Sequence, residues 1–141
     1  MMAIHFYFDS VKKPAFAKPV QWKKALKRIA EVEAYKIKEL TYVFLTDEEL
    51  LAMNIQYLQH DTYTDIITFD NSSEPKSIEG DIFISLERVQ DNARKYKVSY
   101  EVELQRVLAH GLLHLCGYKD KTKKDAALMR QKEETAIQLF L

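Results

Sequence analysis

Apolar residues recur along this chain with two periods, and the switches between them outline the fold. Over residues 3–8 aromatic and aliphatic side chains alternate as in a short strand. Residues 20–34 carry Trp22, Ala25, Leu26, Ile29 and Ala30 at the spacing of one helical face. Residues 39–45 (ELTYVFL) read as a second strand. Thr46 then offers an N-cap, and Glu49 three positions on completes a capping box. The helix it opens runs to about residue 58, with Leu50, Met53, Ile55 and Tyr57 as its apolar set. Residues 65–69 (DIITF) are β-branched and predict a short buried strand; 71–79, polar and containing Pro75, predict a loop; 81–86 (DIFISL) predict another strand.

Three helices follow. One begins at Ser85 or Leu86 and reaches about residue 97, with Val89, Ala93 and Tyr96 on one face. The next has Ser99 as its N-cap and Glu101 and Glu103 in its first turn, where the helix dipole favours them. Val102, Leu104, Val107, Leu108, Leu112, Leu113 and Leu115 make it apolar nearly all round by its end, the mark of a central helix. The last, from about 122 to 139, is expected to turn Ala126, Met129, Ile137 and Leu139 inward. The order predicts a mixed α/β (α+β) domain spanning 1–141, with a sheet of about four strands and helices packed on it.

Composition narrows the partners. The scarcity of glycine and proline, three each, argues against an all-β fold rich in tight turns. Net charge is zero, from 21 basic and 21 acidic residues, so any nucleic-acid contact must come from a local patch. A single cysteine, Cys116, cannot form an internal disulfide, which points to a reducing compartment. No apolar run approaches the ~18 residues of a membrane span. The start, MMAIHFYFDS, lacks a basic and then apolar leader pattern, so a cytoplasmic location is expected.

The chemistry concentrates at His110-Gly-Leu-Leu-His114-Leu-Cys-Gly117-Tyr-Lys-Asp120. Residues four apart share a helix face, roughly 5–6 Å apart at Cβ, so two imidazoles can meet one metal ion. Gly117 can end the helix in a left-handed conformation, and the returning chain can bring Asp120 as a third ligand. Three protein ligands on zinc leave a fourth position for water, as in catalytic sites. The bland alternative is two buried histidines satisfied by backbone carbonyls. Against it stand the apolar helix, where free imidazoles are costly, and the carboxylate at closing distance. Gly111 occupies the place of the general-base glutamate of H-E-x-x-H proteases, which weighs against a protease mechanism. A small residue there leaves open space or permits close helix packing.

HGLLHLCGY resembles the zinc-site motif of YbeY-type endoribonucleases, bacterial rRNA maturation factors. Asn54-x-x-Tyr57, Asp61, Thr64-Asp65-Ile-Ile-Thr-Phe69, Gly80-Asp81-Ile82, Met129 and Glu133 resemble further family features in order, so the likeness covers roughly residues 40–135. The resemblance implies an α/β fold, one Zn2+ per chain and cleavage of single-stranded RNA. It also implies 16S rRNA 3′-end maturation and ribosome quality control, with the ribosome or its small subunit as partner.

Two departures matter. The family's third histidine ligand aligns with Asp120, giving a His110–His114–Asp120 set. A carboxylate leaves the metal less positive than a third imidazole would, and hard ions such as manganese compete better there. The family's arginine after the tyrosine aligns with Leu58. His114 and His60 are the candidate catalytic residues, His60 either replacing that cation at the phosphate or standing as an exposed loop residue. Lys119, Lys121, Lys123 and Lys124 either steer RNA toward the ion or form a solvated helix start. Asp65 and Asp81 either orient a ligand histidine or cap a turn. Cys116 reads as a packed core thiol and His5 as structural. The competing functions are another metal-dependent hydrolase, such as a peptidase, and a non-catalytic ribosome-assembly factor with structural zinc.

Overall fold

The computed structural model describes residues 2–141. The elements are β1 (Ala3–Tyr7), α1 (Pro19–Val32), β2 (Lys36–Leu45), α2 (Asp47–Leu58), β3 (Ile66–Asp70), β4 (Ser77–Ser85), α3 (Leu86–Tyr96), α4 (Tyr100–Leu115) and α5 (Lys123–Ile137), then a 3-10 turn over Gln138–Phe140. The four strands form one mixed sheet in the order β1-β2-β4-β3. β1, β2 and β4 run parallel, and β3 returns antiparallel along β4. The α+β class and the four-stranded sheet expected from the periodicity are both present.

Period-two burial assigns one face of the sheet to the core: Leu40, Tyr42 and Phe44 of β2 and Ile78, Ile82 and Ile84 of β4. α1 and α4 pack on this sheet, and α4 is flanked by α3 and α5. α4 is as central as its composition predicts, with Leu104, Leu108 and Leu112 fully buried. The buried Tyr42 hydroxyl donates to the Leu108 carbonyl at 2.8 Å, tying the helix to the sheet.

Two glycines set how closely α4 approaches. A Cβ on Gly111 would stand 2.8 Å from Ile82 Cδ1 and 3.0 Å from Ile66 Cδ1. One on Gly80 would stand 2.6 Å from the Phe69 carbonyl oxygen and 3.0 Å from Leu115 Cδ1. Of the two uses foreseen for a small residue at 111, close packing is the one realised.

Several expectations are corrected. β4 starts at Ser77, so most of the expected 71–79 loop is shorter and β4 longer; pairing with β2 supplies the backbone partners that local sequence could not indicate. β3 is an edge strand with only Ile67 fully buried, rather than a buried strand. On α2, Leu50 and Asn54 are buried while Ile55 and Tyr57 are exposed, because the helix meets β3 and β4 through one narrow face, on which residues four apart share a side. On α5, Ala126 is exposed, Leu139 is half-buried in the 3-10 turn, and Glu133 is buried instead.

Candidate metal centre

α4 delivers both histidines on one face, one turn apart, with ring centroids 4.5 Å apart. The helix ends as Gly117 foretold. Gly117 takes φ 99°, its N–H donates to the His114 carbonyl (3.0 Å), and the Tyr118 N–H donates to the Leu113 carbonyl (3.1 Å). The returning segment is anchored by the Tyr118 hydroxyl, which donates to Glu33 Oε1 at 2.6 Å; Lys132 of α5 meets Glu33 Oε2 at 3.3 Å. Asp120 thereby faces α4, and its Oδ2 lies 3.4 Å from Nε2 of His110 and 3.4 Å from Nε2 of His114.

The other ring nitrogens are occupied. His110 Nδ1 meets Glu133 Oε2 at 2.5 Å, and His114 Nδ1 meets the Tyr118 carbonyl at 2.8 Å. With Nδ1–H donated in both rings, the two Nε2 lone pairs point at one carboxylate oxygen. Three electron-rich atoms within 4.8 Å of one another repel unless a proton or a metal cation sits among them. The donor set, two imidazoles and a carboxylate with outer partners fixing the imidazoles, fits a divalent ion.

The three ligands open onto a cleft of about 320 Å³ that also takes in Asp65, Asn92, Tyr96, Glu103, Arg106, Arg130 and Glu133. Arg106, one turn before His110, is held by Glu103 Oε1 (3.4 Å), Glu133 Oε1 (3.4 Å) and Glu134 Oε1 (2.9 Å). Glu133 thus bridges Arg106 and His110. Glu103 Oε1 is buried with no aligned hydrogen bond, Arg106 Nε being a charge contact only. Burial works to lower the His110 pKa, but the hydrogen bond and charge of Glu133, with Asp65 and Asp120, outweigh it and raise it. Desolvation raises Asp65, against the pull of His110, and raises Glu103, against Arg106.

Of the candidate site residues, His110, His114, Asp120 and Asp65 share this cleft, together with Thr64 and Glu133 of the family pattern. Asp81 lies elsewhere and accepts a hydrogen bond from Asn71 Nδ2 at 3.0 Å. His60 is exposed in the loop after α2 and Leu58 on its last turn; neither lines the cleft. Lys119, Lys121, Lys123 and Lys124 are exposed beside Asp120, outside the lining. Cys116 is buried, its thiol pushed up to about 12 by desolvation, and His5 is exposed on β1. Tyr96, expected on the apolar face of α3 with Val89 and Ala93, is instead exposed at the cleft; Glu133 stands in the sequence only as a family feature, and Arg106 and Arg130 have no place in its pattern. Arg106 was within reach, four residues before His110 and so on its face; the others join the site only through packing of α3 and α5.

The same chain carries wider likenesses. The family model for Endoribonuclease YbeY matches residues 9–140. Proteins named Endoribonuclease YbeY include one from Cytophaga hutchinsonii, 58% identical over 114 residues (81% of this chain, 80% of that one). Another, from Parabacteroides distasonis, is 43% identical over 141 residues, covering 99% of this chain and 96% of the relative. The solution structure of a Thermotoga maritima protein superposes with a TM-score of 0.68 at 25% identity, covering 97% of this chain and 88% of that one. A family match across nearly the whole chain, with relatives of that name at such identity, means that the chain belongs to the Endoribonuclease YbeY family.

Proposed function

We propose that this chain is a single metal-dependent endoribonuclease domain, acting in the cytoplasm on single-stranded RNA. Its substrate on this reading is the 3′-end precursor of 16S rRNA, and its partner is the ribosome or its small subunit, in maturation and quality control. The observation that carries the chemistry is the convergence of His110 Nε2, His114 Nε2 and Asp120 Oδ2, with both Nδ1 atoms tied back. The relatives' shared name supports RNA as the substrate class.

His110, His114 and Asp120 would hold one ion, zinc first and manganese as the competitor that a carboxylate admits. Such an ion supplies a Lewis acid that draws charge from a phosphate oxygen. Glu133 and the Tyr118 carbonyl fix the imidazole tautomers, so no ligand must reorient on binding. Arg106 holds Glu133 in place from the far side. Tyr96, exposed at the cleft with Lys95 Nζ 5.7 Å from its ring centroid, adds an aromatic and a cation beside the ligands, a pairing suited to single-stranded RNA.

The deciding experiment compares cleavage of a 16S 3′-end precursor by zinc-loaded protein and by its His114→Ala variant. Loss of cleavage in a variant that keeps its circular-dichroism spectrum is the expected result. Cleavage undiminished in the variant, or absent from both proteins, defeats the proposal. An unfolded variant would make the ion structural.

A further inference from the structure

The cleft contains two arginines, and only one is committed. Arg106 is enclosed by Glu103, Glu133 and Glu134. Arg130 is exposed on α5, one turn before Glu133 and on its side of the helix. Among the described residues it makes no ion pair.

The charge of the lining shows why that matters. Asp65, Glu103, Asp120 and Glu133 face Arg106 and Arg130, and one divalent ion brings these groups to neutrality. A phosphodiester entering the cleft therefore adds an anion beside four carboxylates. It needs a cation not already neutralised by direct contact. Position 58 supplies none, being Leu58, and neither His60 nor the 119–124 lysines line the cleft. A guanidinium offers a planar fork of donors matched to phosphate oxygens. Arg130 has that fork free.

Resting on the reading of this cleft as an RNA site, we propose that Arg130 binds a backbone phosphate of the RNA there, as the one arginine of the lining that no carboxylate engages. It is a substrate-binding residue; among the described residues no ion pair joins it to Asp120.

The test uses full-length zinc-loaded protein and a short end-labelled single-stranded RNA. Wild type, Arg130→Ala and Arg130→Lys are compared for binding across salt, for cleavage at saturating RNA and for zinc content. Arg130→Ala should weaken binding about ten- to hundredfold, the loss of a charge-assisted contact. It should also flatten the slope of log K against log salt by about 0.7, one phosphate fewer on a single strand. Arg130→Lys should keep the slope and recover part of the affinity, with zinc content unchanged in both. If wild type cleaves and Arg130→Ala matches it in slope and rate, the assignment fails and the nuclease reading stands. If Arg130→Ala loses zinc, its role is structural and the assignment fails. If wild type neither binds nor cleaves RNA, both fall.

Discussion

Glu133 shows how much of the centre depends on a residue that meets no metal. Its Oε2 holds His110 Nδ1 and its Oε1 faces Arg106, so a buried carboxylate is satisfied while aiming a ligand. Glu133→Gln should lower zinc affinity about 10- to 100-fold, measured by competition with a chelating dye; unchanged affinity would remove the aiming role. The same pair sets a pH dependence in chelated protein. His110 titrates above its ordinary 6.5 when folded. Its stabilising contribution is therefore complete below about 6.5 and is lost as pH rises through the higher folded value. Urea midpoints of chelated protein should show this fall, and Glu133→Gln should flatten it. Zinc affinity runs the other way, weakening as pH drops and protons compete for His110.

Among the elements, α4 is the one whose placement decides the site. It brings the histidines to the cleft, and it lies low on the sheet because residues 80 and 111 lack a Cβ. The two glycines differ in what opposes a methyl group. At Gly80 the obstacle is the Phe69 carbonyl, which belongs to a paired strand and cannot swing aside. At Gly111 the obstacles are the ends of isoleucine side chains, and alanine gains about 1 kcal/mol of helix propensity in return. Gly80→Ala should cost about 1–3 kcal/mol by chemical denaturation, with Gly111→Ala clearly milder. Equal costs at the two positions would contradict this account of the packing.

For the molecule as a whole, the core and the site are separate. The hydrophobic cluster runs from Ile4 through the sheet to α4 and α5 and includes none of the three ligands. Removing the ion should therefore leave a folded protein. Zinc in excess should raise its melting temperature on the order of 10 °C, by mass action on the folded state. Calorimetry with and without chelator reads both; collapse of the folded baseline on chelation would mean that the ion carries the fold. Among the described residues no helix is long and apolar enough to cross a membrane.

The sequence alone determined the element order, because each helix and strand carries its own period and four helices carry their own Ser or Thr cap. It also determined the spacing of His110, His114 and Asp120, because a helix period and a glycine stop are local properties. It misjudged the outer half of α2, the depth of β3 and the inner face of α5, where neighbours rather than period decide burial. Only the tertiary structure put Glu133 behind His110, closed Arg106 among three carboxylates and left Arg130 open. Those residues lie on two successive helices whose facing sides only packing decides, and a charge has a partner or lacks one only when the chain has brought others to it.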